Sequence, residues 1–444
     1  MPDLSISFCG VRSPNPFWLA SGPPTNTGYQ VMKAFDAGWG GAVWKTIGDP
    51  IINTASRYGS IDYKHERMIG LNNIELISDR SIEINFREIS EVKKRFPKHT
   101  VIASLMVESK RETWHEIVRR AQDSGSDLLE LNFGCPHGMS ERGMGAAVGQ
   151  VPEYTTLITS WVKEVATIPV IVKLTPNVTD IAHMAWAARQ GGADAVSLVN
   201  TFSSLVGVDL ESFAPRPNVG GYGSHGGYCG PAVKPIALHM VSSVAKHPKV
   251  GIPISGIGGV ANWQDTVEFM LLGATSVQVC TAAMHYGFRV VEDMIEGLSQ
   301  YLDDKGFSSA MELVGKSVDR IRDWGDLDLN YKIVARIDPA QCIGCNLCYI
   351  ACEDGAHQCI TAADRPRGDL RDGEIAKHVP RILEDECVGC NLCALVCPVP
   401  GCINMQRVDT GRTAMTWRQL QEARGKSPHC SMKDLLANKT AAGD

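Results

Sequence analysis

Four stretches of this 444-residue chain follow one design: a helical pattern, a break containing glycine, then a short apolar strand. They are AFDAGWGGAVWKT (34–46), AQDSGSDLLELN (121–132), AARQGGADAVSLVN (187–200) and FMLLGATSVQVC (269–280). A glycine after a helix supplies the left-handed residue that ends it, and a run of apolar residues suits a strand buried on both faces. Four more strand candidates fall between them: PFWLAS (16–21), VIASLM (101–106), PVIVKLT (169–175) and PISGIGG (253–259). Eight strands alternating with helical patterns such as WHEIVRRAQ, all within about 300 residues, predict an α/β fold with parallel units closed into a (β/α)8 TIM barrel. A doubly wound open sheet is the competing arrangement. The leading LSISFCGVRSP reads as a short hairpin ahead of the first barrel strand.

The 15 cysteines divide the chain. Only Cys9, Cys135, Cys229 and Cys280 precede residue 340, ten fall between Cys342 and Cys402, and Cys430 sits in the tail. This predicts a barrel domain over 1–325, a small cysteine-dense domain over 326–405, and a polar C-terminal extension over 406–444. A disulfide scaffold does not suit a chain this long that opens MPDLSISF, without a secretory pattern. No apolar run approaches the ~20 residues of a membrane span, and a net charge of -6 without a basic block argues against nucleic acid. The expectation is a cytoplasmic protein using its thiolates for metal or chemistry.

In such a barrel, function gathers where strands end. Here those ends are polar: Ser21-Gly22, Lys45-Thr46, Glu130-Leu131-Asn132, Lys173-Leu174-Thr175, Asn200-Thr201, Gly256 to Gly259 and Cys280-Thr281. Loops after the last two strands commonly offer backbone N–H groups to a phosphate, and glycine permits close approach. A phosphate-bearing cofactor is therefore expected. Lys45 and Lys173, ending apolar strands, could stabilise negative charge on a reduced flavin or simply reach out to the rim. Cys135 lies in NFGCPHG, where Pro136 bars helix continuation and Asn132 and His137 flank a thiol able to exchange a proton. Cys9 and Cys280 read as inert core thiols.

In the cysteine-dense stretch, Cys342, Cys345, Cys348 and Cys352 space as C-x2-C-x2-C-x3-C, and Cys387, Cys390, Cys393 and Cys397 repeat it. This is the two-cluster [4Fe–4S] ferredoxin pattern, in which the fourth cysteine crosses to the other cluster. Cluster one would take Cys342, Cys345, Cys348 and Cys397; cluster two, Cys387, Cys390, Cys393 and Cys352. An α+β ferredoxin-like domain is expected, with Cys359 and Cys402 as core. Zinc fits the spacing poorly.

The motifs LNNIELIS, ELNFGCPHGMSERGMG, KLTPNVTD, VNTFSS, VKPIALHMV, SGIGG and QVC together resemble the pyrimidine-reducing part of the dihydropyrimidine dehydrogenase family, from about residue 4 to 405. Dihydroorotate dehydrogenases resemble the barrel more distantly. The resemblance implies an FMN-bearing barrel with Cys135 as proton donor. It also implies that Asn73, Asn132, Asn200 and Thr201 hydrogen-bond the pyrimidine, with Glu75 and Ile77 close by. The expected FMN site comprises Ala20, Ser21, Lys45, Thr46, Lys173, Gly230, Gly256, Gly258, Gly259, Cys280 and Thr281. Two departures stand out: Gly134 and Cys229 occupy positions where relatives usually carry serine. The glycines from Gly220 to Gly230 suit a mobile lid or a flexible surface loop.

The combined expectation is reversible reduction of uracil or thymine, with hydride from FMN N5 to C6 and a proton from Cys135 to C5. Electrons would arrive through the two clusters. No strand–GxGxxG–helix unit serves a dinucleotide, so an FAD- and NAD(P)H-binding subunit is the expected partner, in a hetero-oligomer containing a homodimer. Dihydroorotate-type oxidation and a non-catalytic electron-transfer adaptor are the alternatives.

Overall fold

The computed structural model describes residues 2–49, 58–63, 66–135, 143–362 and 379–425. The chain divides into two units, Met1–Ile321 and Arg322–Asp444. Among the described residues no helix is long and apolar enough to cross a membrane.

In the first unit eight parallel strands close into a barrel: Phe17–Leu19, Gly41–Val43, Thr100–Leu105, Leu128–Asn132, Val170–Lys173, Ala195–Leu198, Ile254–Ile257 and Ala274–Val279. Each pairs with the next, and the last returns to the first with Val277 opposite Phe17. All eight predicted stretches contain a barrel strand, and the open sheet is excluded. The repeated break works as the sequence demands. Gly38, Gly125, Gly192 and Gly273 have φ of 115°, 86°, 93° and 109°, a region that side chains with a Cβ rarely enter.

The two ends of the barrel differ. At the N-terminal end the predicted hairpin, Ile6–Phe8 against Val11–Ser13, acts as a plug. Ile6 and Phe8 join Trp18, Val43, Ile102, Leu128, Ile171 and Ala195 in one buried cluster. The Phe8 and Trp18 rings meet edge to face at 5.1 Å, and the Trp18 indole donates to Ser13 Oγ at 2.9 Å. Truncating such a ring costs about 3–5 kcal/mol, so this end is a sealed base rather than a site.

At the opposite end a four-stranded antiparallel sheet rises from the loops, ordered Phe202–Ser204, Gly226–Cys229, Glu66–Asn73, Tyr58–Tyr63. Part of the glycine-rich stretch expected to be a lid or loop is thus a strand, with Gly227 opposite Asn73. Its glycines serve packing: the Tyr228 ring lies directly against Gly70, leaving no room for a Cβ there.

The second unit is α+β. Strand Lys332–Ile337 pairs antiparallel with Ile403–Val408, and Ile360–Thr361 with Arg381–Ile382. Helices Leu347–Glu353 and Leu392–Leu395 each follow a C-x-G-C-N run. The two runs repeat one backbone shape: Gly344 and Gly389 both have φ 71°, and Asn346 and Asn391 have 60° and 69°. The last strand continues past residue 405, and a capped helix follows at Trp417–Ala423, so the stretch after 405 is polar but partly regular.

Candidate active site

The rim of the barrel and the four-stranded sheet enclose a cleft of about 1300 Å³, including its open mouth. Residues from the ends of seven barrel strands reach it, because successive strand ends converge on the axis. Of the residues expected at the FMN and pyrimidine sites, Cys135, Asn73, Glu75, Asn132, Asn200, Thr201, Ala20, Ser21, Lys45, Thr46, Lys173, Gly230, Gly258, Gly259, Cys280 and Thr281 all line it. Gly256 does not. It lies inside the seventh strand, where a Cβ would meet Phe269 Cδ1 at 2.5 Å, so its bareness admits the outer helix. His137 falls outside the described residues.

The amides form one chain. Asn200 Nδ2 donates to Asn132 Oδ1 at 3.0 Å, and Asn132 Nδ2 donates to Thr46 Oγ1 at 2.9 Å. Thr46 is itself bonded to Ser21 and Ser104 hydroxyls at 3.1 and 3.0 Å. The Gly134 N–H also donates to Asn132 Oδ1 at 3.2 Å, and the Thr201 N–H to Asn200 Oδ1 at 2.8 Å. On the sheet side, Asn73 Nδ2 donates to the Gly227 carbonyl at 3.1 Å. These amides are oriented by the protein before any ligand arrives, and each can donate and accept.

Both lysines are ion-paired. Lys45 Nζ is 2.6 Å from Glu75 Oε1, while the Tyr58 hydroxyl donates to Glu75 Oε2 at 2.7 Å. Burial first, then the Glu75 hydrogen bond, pushes the Tyr58 hydroxyl well above its usual range, so it remains a donor. Lys173 Nζ lies 3.6 Å from Oε1 of Glu130, which is fully buried beneath it.

The thiols occupy two environments. Cys135 packs in a small apolar cluster with Ile77, Met106 and Met144, and its carbonyl accepts from the Ala146 N–H at 3.0 Å. Cys229 and Cys280 line the same cleft, where Thr281 Oγ1 donates to Cys229 Sγ at 3.3 Å. Burial raises both, Cys280 to about 12, so they are neutral thiols near pH 7.

The glycine-bearing loops of the cleft fit a phosphate-bearing flavin. Gly230, Gly258 and Gly259 have φ of 96°, 132° and 75°, and a Cβ on Gly259 would lie 2.9 Å from the Gly230 carbonyl oxygen. A Cβ on Gly22 would lie 2.7 Å from Cys280 Sγ. Gly22, Gly230, Gly258 and Gly259 line the cleft from three loops, and the first N–H groups of helix Thr281–Tyr286 have no carbonyl partner within that helix. Lys45 and Lys173 line the same cleft, suited to a ring system that becomes anionic on reduction.

In the second unit two pockets are lined by thiols. One, of about 310 Å³, has Cys342, Cys345, Cys348 and Cys397; the other, of about 330 Å³, has Cys352, Cys387, Cys390 and Cys393. The fourth cysteine of each run has crossed to the other set. Four thiols around each pocket are the donor set that a [4Fe–4S] cluster takes. Cys359 and Cys402 line the same pockets and are buried, Cys359 with its Sγ 3.6 Å from Cys352 Sγ.

Sequence reasoning missed Tyr58, Gln278 and Tyr228 in the cleft lining. Gln278 carried a signal, a lone amide in the apolar run SVQVC. Tyr58 and Tyr228 carried none, since their positions follow from long-range sheet pairing.

A family model for dihydroorotate dehydrogenase matches residues 3–302, and one for a 4Fe-4S dicluster domain matches 335–405. The NAD-dependent dihydropyrimidine dehydrogenase subunit PreA of Escherichia coli (strain K12) is 43% identical over 367 residues, covering 82% of this chain and 89% of the relative. The chloroplastic dihydropyrimidine dehydrogenase (NADP(+)) of Arabidopsis thaliana is 42% identical over 330 residues, 71% of this chain and 77% of the relative. The catalytic subunit of dihydroorotate dehydrogenase B (NAD(+)) of Pyrococcus abyssi is 37% identical over 318 residues, 70% and 98% respectively. The chain belongs to the dihydroorotate dehydrogenase family of FMN-binding oxidoreductases, as a dihydropyrimidine dehydrogenase-type member whose barrel is followed by a 4Fe–4S dicluster domain.

Proposed function

We propose that this chain reduces the C5=C6 bond of uracil or thymine, reversibly, at the rim of the barrel. One observation carries the reading: three asparagines and a threonine, Asn73, Asn132, Asn200 and Thr201, line the same cleft as the Cys135 thiol. A pyrimidine base presents two carbonyl acceptors and two N–H donors in one plane, and pre-oriented amides match both. Among the described lining residues the two lysines are each paired with a carboxylate, Lys45 with Glu75 and Lys173 with Glu130. A substrate carboxylate would have to displace one of these pairs, which favours a neutral base over orotate.

When bound, FMN would supply a hydride for C6, and two [4Fe–4S] clusters would supply electrons one at a time. The protein's own residues then have distinct tasks. Asn132 and Asn200, locked to each other, hold the ring against rotation. Cys135 delivers the proton to C5, and its apolar surroundings of Ile77, Met106 and Met144 limit access of competing water. Ser21, Thr46, Gly230, Gly258, Gly259, Cys280 and Thr281 hold the cofactor. The cluster ligands are Cys342, Cys345, Cys348 and Cys397, and Cys387, Cys390, Cys393 and Cys352. An FAD- and NAD(P)H-binding partner subunit feeds the clusters; the E. coli relative is named an NAD-dependent subunit.

Replacing Cys135 by Ala tests the reading. The variant should keep its FMN and lose about 10²–10⁴-fold in pyrimidine turnover. Unchanged turnover contradicts the catalytic role, and electron transfer without any pyrimidine turnover in the parent protein favours the adaptor.

A further inference from the structure

We infer that Glu130 is a positioning residue that sets the charge at the floor of the cleft, holding Lys173 and offsetting its positive charge. The inference rests on the flavin site proposed above. Glu130 stands on the fourth barrel strand, 0% exposed, and is not among the residues lining the cleft. Its Oε2 accepts from Ser197 Oγ at 2.8 Å and Gln278 Nε2 at 3.1 Å, from the sixth and eighth strands. Its Oε1 faces Lys173 Nζ of the fifth strand at 3.6 Å and makes no hydrogen bond to any described residue. Gln278 is held in turn by Ser255 Oγ at 3.2 Å, which accepts from Ser276 at 2.8 Å. The two floor residues that line the cleft, Lys173 and Gln278, are therefore both tied to one hidden carboxylate.

Stability does not explain such an arrangement. A buried ion pair is often no more stabilising than apolar side chains of the same volume. A field effect does explain it. An unopposed ammonium at the floor would stabilise an anionic reduced flavin and make it a weaker hydride donor. With the carboxylate behind it, the cofactor meets a dipole rather than a net charge, and interior charges act strongly at this range. A barrel that must drive hydride onto a C=C bond gains from that restraint.

Sulfite binding to the FMN-loaded full chain reads this field directly, because sulfite adds through sulfur to N5 and leaves an anionic adduct. Glu130→Gln, of equal size, should tighten sulfite about tenfold and raise the flavin potential correspondingly, by about 30 mV for a two-electron couple. Glu130→Asp should stay close to the parent. In a Lys173→Met background, Glu130→Gln should shift sulfite affinity less, because no ammonium remains to be released toward the flavin. If the Gln variant does not fold, Glu130→Met must give the same shift. Unchanged or weaker sulfite binding, or an equal shift without Lys173, overturns the inference. A parent protein that retains no FMN overturns the flavin reading instead.

Discussion

Among the described residues, the main apolar cluster of the barrel contains no cysteine, whereas seven of the eleven buried residues in the core of the second unit are cysteines. The barrel builds its interior from Val, Ile, Leu, Ala and aromatic side chains, and its site is carved from one end of a core that stands by itself. The small unit uses the thiols both as its core and as its ligands. Domains of that size with little apolar material depend on metal for folding free energy, so here the cofactor and the fold are one structure.

The largest effect expected from this contrast follows loss of iron. Anaerobic chelation should abolish hydrogen-exchange protection of strands Lys332–Ile337 and Ile403–Val408 while the eight barrel strands keep theirs. Protection of both units after iron removal, or loss of both together, breaks the comparison.

The same contrast explains what could be read in advance. Each cysteine run fits within eleven residues, so its spacing is visible in the letters, and the structure puts Cys352 and Cys397 each in the pocket of the other run. The barrel strands were legible too, because burial on both faces writes continuous apolar runs. The four-stranded sheet was not. Its pairing of Asn73 with Gly227 spans the chain, and GGYC has no alternating pattern. SGIGG reads alike whether Gly256 faces a phosphate or Phe269, and only strand register decides. Glu130 was visible as a polar strand end, but its partner Lys173 lies on another strand, and no local spacing links them.

A smaller effect probes how tightly the amide reader is set. A Cβ at Gly134 would sit 2.5 Å from Asn200 Cβ and 2.6 Å from its Nδ2. Gly134→Ala should therefore displace Asn200 and break its bond to Asn132, a loss of about 1 kcal/mol that raises KM roughly five- to tenfold with a smaller change in kcat. Cluster spectra should not change. An unaltered KM would mean that Asn200 does not hold the base.

The mildest test uses thiol chemistry. A thiol with a raised pKa is protonated, and hence unreactive, until pH climbs to that value. After iron removal at pH 8, iodoacetamide should label the released cluster cysteines while Cys280, raised to about 12, and Cys229 label far more slowly. Their labelling should accelerate only as pH rises further. Equal labelling of both sets at pH 8 would contradict a sealed cofactor wall.

The central claim is that the barrel passes hydride to a neutral pyrimidine. Anaerobically reduced holoprotein should be mixed with uracil, and separately with orotate, while the visible flavin band is followed. Rapid recovery of oxidised flavin with uracil, and little with orotate, is the result predicted; recovery with orotate alone would contradict the account.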